Sequence, residues 1–125
     1  MTIAEVSRKY GLSADTLRYY ERSGLIPPVQ RTAGGIRNYT EEDCKWVYFS
    51  KCLRSAGMPV ETIAAYVLLC QQGDETIPER INLLKIQKER LAHQLAELQA
   101  NYDKLTEKIE SYSEKLLKFE QSLAD

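Results

Sequence analysis

Histidine, paired cysteines and long apolar runs are scarce or missing in this sequence of 125 residues. None of its three cysteines belongs to a C-x-x-C pair, which argues against a disulfide framework and against a zinc module. The single histidine, His93, is expected to face solvent, so we expect no metal and no cofactor. Because no apolar run approaches the roughly 18 residues that cross a bilayer and the N-terminus does not read as a secretory signal, we expect a cytoplasmic protein without a membrane partner.

The composition is that of a folded protein, with 43% hydrophobic and 28% charged residues. The length allows one compact domain, or one small domain plus an extension, and excludes a large enzyme core. Although the net charge is -1, residues 1–39 carry six basic and three acidic side chains, whereas residues 40–75 carry three and six. This asymmetry favours an anionic partner for the N-terminal part.

The N-terminal segment contains residues that typically begin and end two short helices. Thr2 is placed to cap a first helix that Gly11 ends, and Ser13 is placed to cap a second helix that stops near Ser23. The tight connection between them is typical of a helix-turn-helix, and the prolines that follow prevent the second helix from continuing. Extended segments around Gly34-Gly35 then predict a small β-hairpin, or wing.

Two further helices and a long amphipathic segment follow. Thr40 and Asp43 resemble a capping box for a helix that ends at Gly57, and Pro59 opens a helix that ends before Gly73. Beyond residue 74, apolar residues recur at alternating steps of four and three, with one polar interruption at Lys88. The pattern predicts a single helix over residues 78–122, about 65 Å long, which forms a coiled coil with a second copy. The alternative is a long amphipathic helix folded back on its own domain. Two Lys88 ammonium groups facing each other would favour an antiparallel pair modestly.

Several side chains of the N-terminal segment suit DNA. Arg18 can bond phosphate or guanine, and the hydroxyls of Tyr19 and Tyr20 can bond phosphate. The helical spacing itself turns Tyr20 inward. The alternative to DNA contact is that one tyrosine fills the small core while Arg18 pairs with Glu21 or Asp15.

The order of the motifs resembles the MerR family of transcriptional regulators. The resemblance rests on Ile3-Ala4-Glu5-Val6, on Thr16-Leu17-Arg18-Tyr19-Tyr20-Glu21, on Gly24-Leu25-Ile26, on Gly35-Ile36-Arg37-Asn38-Tyr39, and on the terminal coiled coil. It spans essentially the whole chain. Within the family, the segment from Lys51 to Gly57 is similar to a group of regulators that respond to aldehydes through a thiol.

The resemblance implies an all-α-dominated fold: a winged helix-turn-helix domain of four helices and a hairpin wing in residues 1–74, and an antiparallel coiled-coil dimerisation helix in residues 75–125. It implies a homodimer on a near-palindromic promoter, where bending and untwisting of the DNA serve RNA polymerase. The expected DNA contacts are Thr2, Ser13, Thr16, Arg18, Tyr19, Tyr20, Arg31, Arg37, Tyr39 and Arg54.

The cysteines differ in their sequence context. Cys44 and Cys70 lie among apolar residues and are expected to be core residues. Cys52 flanks such a stripe beside Lys51 and Arg54, cations that favour the nucleophilic thiolate. From the residues alone a reactive and a structural role are equally supported, and the resemblance favours Cys52 as the sensor.

We therefore predict a dimeric regulator that is not an enzyme and that responds to aldehydes or other electrophiles through Cys52. The alternatives are a metal- or redox-responsive regulator of the same type, and a coiled-coil interaction protein that does not read DNA. A thiol enzyme is disfavoured because no histidine lies near any cysteine in sequence to act as a base.

Overall fold

The computed structural model describes residues 1–124, which form six α-helices. These are α1 (Ile3–Tyr10), α2 (Ala14–Arg22), α3 (Glu41–Ser55), α4 (Val60–Gln72), α5 (Ile77–Glu110) and α6 (Leu117–Ala124). The chain divides into two compact units, residues 1–87 and residues 88–125. Within the described part of the chain, no helix combines the length and apolar character needed to cross a membrane.

The first two helices begin and end where their capping residues predict. Thr2 accepts a hydrogen bond from the backbone of Glu5, whose carboxylate in turn accepts from the Thr2 backbone. Gly11 ends α1 in the left-handed conformation (φ 66°), which costs glycine little because it has no Cβ. Ser13 caps α2 by accepting from the Thr16 N–H at 3.0 Å, so the helix-turn-helix boundaries are confirmed.

The next two helices also follow their predicted signals. Thr40 and Asp43 form the reciprocal capping box at the start of α3. Gly57, at φ 81°, directs the chain away after α3, and Pro59 precedes the first residue of α4.

A small apolar core holds α1 to α4 together within residues 1–87. Its fully buried members include Val6, Leu17, Val47 and Ile63, and Leu84 of α5 packs against it from the side. Burying a side chain of this size stabilises the fold by about 1.5–3 kcal/mol. The core therefore fixes which faces of α2 and α3 remain exposed.

The wing is shorter than the β-hairpin that we predicted, and it shows no strands. No strand forms in residues 1–124, and the segment contains a single antiparallel bridge between Arg31 and Arg37. Thr32 N–H donates to the Ile36 carbonyl at 2.7 Å, and Gly35 adopts φ 83° in the connecting turn. Two glycines and mostly polar side chains leave no apolar cross-strand pairs to extend the pairing, which explains the short turn.

The continuous helix predicted over residues 78–122 is also wrong in its C-terminal part. Helix α5 ends at Glu110, Ser111 adopts φ -96° and ψ 11°, and a π-helical segment spans Tyr112–Leu116 before α6. Apolar residues spaced alternately by four and three positions indicate helical structure, but this spacing does not require one uninterrupted α-helix. A π-helical turn contains an additional residue, so it shifts the phase of the apolar positions on either side of it.

Candidate DNA-binding surface

The exposed face of α2 carries two guanidinium groups and an aromatic ring. Arg18 is exposed and forms an ion pair with Asp15, with 2.8 Å between Nη1 and Oδ1. The ring of Tyr19 is 40% exposed, and the guanidinium of Arg22 lies over it at 5.5 Å. Because exposed ion pairs of this kind contribute little, the Arg18 guanidinium can exchange a carboxylate for a phosphate.

Tyr20 lies in the core and not on the predicted surface. Its side chain is 5% exposed, next to Leu17 in the packing between helices. Burial raises the pKa of Tyr20, and the nearby charge of Arg54 acts in the opposite direction. The structure therefore confirms the inward position predicted for Tyr20 and corrects its inclusion in the DNA-contact set.

The hydroxyl groups of Thr2 and Ser13 cap helices, and Thr16 is the hydrogen-bond partner of Ser13. Ser13 and Thr16 lie together at the N-terminus of α2, where the Ser13 hydroxyl donates to the Thr16 hydroxyl at 2.8 Å. Thr2 lies at the N-terminus of α1, and its backbone N–H and hydroxyl hold the pKa of Glu5 below its usual value. Ser13 and Thr16 thus share the end of α2 that precedes Arg18.

The wing arginines have different surroundings. Arg31 is exposed, and its Nη1 donates to the Gly35 carbonyl at 2.9 Å across the turn. Arg37 is mostly buried, and its Nε donates to Oε1 of Glu21 at 2.7 Å. Arg31 is therefore the more accessible of the two predicted wing contacts.

Glu21 connects α2 to the wing, a role that sequence reasoning missed. Its second carboxylate oxygen accepts the Val29 N–H at 3.0 Å. Burial raises the pKa of Glu21, but the hydrogen bonds from Arg37 and Val29, together with the charges of Arg37 and Arg31, outweigh it and lower the pKa. The only signal in the sequence was an acidic residue inside a basic segment, which does not identify a partner 16 residues away.

Tyr39 is buried beneath the wing, so its place among the expected DNA contacts is corrected. The side chain is 2% exposed, and within the described residues its hydroxyl has no hydrogen-bond partner. The N-terminal ammonium group of Met1 donates to the Tyr39 carbonyl at 2.7 Å, which ties the end of the wing to the start of the chain.

Arg54 lies exposed at the end of α3, where the chain turns into α4. Its guanidinium donates to the Met58 carbonyl at 2.9 Å and so closes the turn around Gly57. The amide of Gln87, buried in α5, donates to the Ala56 carbonyl at 2.8 Å in the same turn. This turn is therefore fixed from both sides.

The thiols occupy three environments. Cys44 is buried in the core, Cys70 is half-buried and Cys52 is exposed on α3. A hydrogen bond with Cys52, one helical turn along, raises the pKa of Tyr48. The cations expected to activate Cys52 are engaged elsewhere, because Lys51 donates to the Tyr10 carbonyl and Arg54 to that of Met58. In the part of the chain that the structure describes, no cluster of three or more potential ligands could hold a metal ion.

Comparison with known proteins finds a matching family model and similar regulators. Residues 1–68 match the model of the MerR HTH family of regulatory proteins. The HTH-type transcriptional regulator AdhR of Bacillus subtilis is 52% identical over 91 residues, which are 73% of this chain and 65% of the relative. The match thus spans a little under two thirds of that relative's length.

Solved structures agree with this placement. A crystal structure of a MerR-family regulator from Listeria monocytogenes superposes with a TM-score of 0.86 at 39% identity, covering 100% of this chain and 95% of that one. The crystal structure of HiNmlR, a MerR-family regulator lacking the sensor domain and bound to promoter DNA, gives a TM-score of 0.78 at 37% identity. That match covers 90% of this chain and 89% of HiNmlR.

Proposed function

The chain belongs to the MerR family of transcriptional regulators, and we propose that it binds a near-palindromic promoter as a homodimer and converts thiol modification into altered transcription. Residues 1–74 would bind the DNA and residues 75–125 would pair the two copies. The exposed face of α2 is the observation that carries the proposal. The HiNmlR complex supports it, because a relative of 37% identity binds promoter DNA.

The α2 surface suits a duplex in three ways. Arg18 supplies a charge-assisted donor for phosphate or guanine, and Tyr19 supplies a hydroxyl and a ring that can pack on the sugar. Ser13 and Thr16 lie at the N-terminus of the same helix, where backbone N–H groups favour an anion. Arg31 extends the basic surface from the wing.

Arg37 contributes by positioning the wing. Its ion pair with Glu21 leaves it less free to neutralise phosphate than Arg31, but it fixes the wing relative to α2. Loss of Arg37 should then weaken binding to all sequences, since the wing contacts backbone and not bases.

The apolar stripe of α5 supports pairing of two copies. Five of its members, Leu95, Leu98, Tyr102, Leu105 and Ile109, are between 60% and 71% exposed in a single chain. An apolar face of this length needs a partner helix, and a second copy run antiparallel keeps the two Lys88 residues apart. A dimer with two-fold symmetry presents two recognition helices to two half-sites.

Such a dimer acts on the shape of the promoter. Two α2 helices fixed by one dimer set the distance between half-sites, and a spacer that is too long must bend and untwist to match it. This bending and untwisting brings the promoter elements into the relative positions that RNA polymerase requires. Specificity then arises partly from the energy of deformation.

Cys52 is the proposed sensor because it is exposed and connected to the α3–α4 turn. Its carbonyl accepts the Ala56 N–H at 3.0 Å, and the Ala56 carbonyl accepts from Gln87 of α5. An aldehyde adduct at Cys52 would disturb the end of α3 and the turn that Gln87 fixes. A difference of about 1–3 kcal/mol between the two DNA-bound forms suffices for a response of several-fold to about a hundred-fold.

Operator binding tests the DNA-reading part of the proposal. Fluorescence anisotropy with the gene's own upstream region should show a dissociation constant that rises steeply with salt, because bound phosphates release counterions. Arg18→Ala should weaken binding by about tenfold or more, the effect of losing roughly 1–3 kcal/mol of contact. Lys104→Ala, at an exposed position of α5, is the matched control and should bind like the wild type. Equal affinity in all three proteins would refute the assignment of Arg18.

A reporter strain tests the sensing part. Cys52→Ser should retain operator binding but lose induction by aldehydes, because serine keeps the size of the side chain and lacks the nucleophile. Cys44→Ser is the control for a buried thiol and should alter stability while leaving induction in place. Full inducibility of Cys52→Ser would assign the response to another group.

A further inference from the structure

The apolar stripe of α5 repeats symmetrically about residue 100. Between Lys88 and Tyr112 its positions alternate by steps of three and four, and the order of the steps is the same when it is read from either end. An antiparallel second copy fits such a pattern, because reversing the chain restores the same spacing. Positions equally far from residue 100 then face each other: Leu98 and Tyr102, Leu95 and Leu105, Leu91 and Ile109, Lys88 and Tyr112.

The structure limits regular pairing to the same interval. Residues 88–125 form a compact unit of their own, so the stripe becomes independent of the first unit at Lys88. At the other end, the π-helical segment begins at Tyr112 and shifts the phase of the residues that follow. Phe119, beyond that segment, lines a cavity of about 330 Å³ among lysine side chains. The interval for regular coiled-coil pairing is therefore 88–112, and its midpoint is residue 100.

The polar positions at the two ends of this interval are complementary. Lys88 is exposed and interrupts the apolar stripe with an ammonium group. The Tyr112 hydroxyl donates to the Glu120 carboxylate, and this hydrogen bond, followed by the charge of Glu120, raises the pKa of Tyr112. A lysine that faces this pair meets an aromatic ring and a carboxylate, both of which attract a cation. The charge that interrupts the stripe thus has a matching site at the opposite end of the interval.

We propose that two copies pair with residue 100 at the two-fold axis, and that Lys88 of each copy binds Tyr112 and Glu120 of the other. This register rests on the homodimer proposed above and specifies which residues meet in it. Lys88 selects the register, because a shift by one heptad would place its ammonium group against the apolar side chain of Leu105 or Phe119. In the proposed register the two Lys88 residues lie about 36 Å apart along the seam, at 1.5 Å per residue.

The register determines the separation of the two recognition helices. Each copy carries one α2 helix, and sliding one copy along the other by a heptad displaces it by about 10 Å. Half-sites on a duplex have a fixed spacing, so a pair in another register presents its α2 helices at a separation that does not match the same operator. Lys88 therefore contributes to operator selection without contacting DNA.

Photo-crosslinking of the full chain maps the register. With p-benzoylphenylalanine in place of Ile109, the cross-links should fall around Leu91 of the second copy, and the same probe at Leu91 should reach the region of Ile109. These positions lie about 27 Å apart within one helix, so a cross-link between them joins two chains. A shifted register would move the cross-links of the probe at position 109 to Leu98 or Leu84, and a parallel pair would link position 109 to itself. Any of these maps would overturn the proposal.

A charge exchange tests the role of Lys88. Lys88→Glu places a carboxylate beside Glu120 of the second copy, and it should raise the dimer dissociation constant about tenfold in analytical ultracentrifugation, since two contacts per dimer change from attraction to repulsion. Adding Glu120→Lys should restore the wild-type value, because the charges are then exchanged across the same contact. Lys104→Glu makes the same change away from the stripe and should leave the dissociation constant near that of the wild type.

The outcomes also separate the register from the homodimer on which it rests. Lys88→Glu dimers as tight as those of Lys104→Glu, or a double variant without rescue, would refute the contact of Lys88 with Glu120. A wild-type protein that sediments as a monomer would refute the homodimer and the register together, whereas a stable dimer with different cross-links would refute the register alone. Neither measurement uses DNA, so neither depends on operator binding.

Discussion

At the scale of single residues, two adjacent side chains of one helix differ in their exposure to solvent. Tyr19 and Tyr20 follow each other in α2, yet one is exposed and the other lies in the core, because successive residues of a helix differ by about 100° around its axis. The helical spacing of Leu17 and Tyr20, three residues apart on one face, predicted that both point inward, and the structure confirms this. The inclusion of Tyr20 among the phosphate contacts did not follow from that spacing and is corrected.

The Glu21–Arg37 ion pair makes the fold sensitive to acid. The folded pKa of Glu21 lies below that of an unfolded glutamate, about 4.3, so the pair stabilises the protein above that pH. The contribution is lost as the pH falls through the lower folded pKa. Urea unfolding of Glu21→Gln should therefore show a free energy of unfolding lower by about 1–3 kcal/mol at pH 7, the cost of removing one partner of a mostly buried pair.

The same measurement at acidic pH provides the control. The difference between wild type and Glu21→Gln should shrink as pH falls, since protonation of Glu21 neutralises the wild-type side chain as well. Asp15→Asn removes the carboxylate of an exposed pair and should change stability little at either pH. A difference for Glu21→Gln that is independent of pH would contradict the role of the charge.

At the scale of helices and turns, local signals predicted more than distant ones. The caps at Thr2, Ser13 and Thr40 were correct because each depends on a hydrogen bond to a residue three positions away. The wing forms one antiparallel bridge and no strands, because longer pairing depends on cross-strand contacts that the glycines do not provide. The break at Ser111 was missed because it contains neither Gly nor Pro and the apolar spacing continues across it.

The turn between α3 and α4 provides a test at this scale. Gln87→Leu removes the donor to the Ala56 carbonyl and leaves that acceptor unpaired at a buried position, which should cost about 1–3 kcal/mol of stability. If Cys52 acts through this turn, the variant should also respond less to aldehydes at equal operator affinity. Thermal unfolding and a reporter assay measure the two effects.

Gln94→Leu makes the same substitution at an exposed position of α5 and serves as the matched control. It should leave both unfolding temperature and induction unchanged. A Gln87→Leu protein that is destabilised but fully inducible would separate the turn from the sensing route.

At the scale of the whole molecule, pairing should depend on the apolar stripe of α5. Replacing Leu95 and Leu105 with Asp places four carboxylates in the seam of a dimer, where burial of an unpaired charge costs several kcal/mol. Light scattering at micromolar concentration should then find monomers, against dimers for the wild type. His93→Asp with Ala100→Asp adds the same charge on the opposite side of the helix and should leave the dimer intact.

The exposed stripe has a consequence for how the regulator responds to its own abundance. When only the paired form engages an operator, occupancy at low expression rises with the square of the protein concentration and not in proportion to it. A twofold change in synthesis then produces up to a fourfold change in occupied promoters. Cells that hold the protein near its dimerisation constant gain a steep threshold, whereas cells that hold it well above that constant do not.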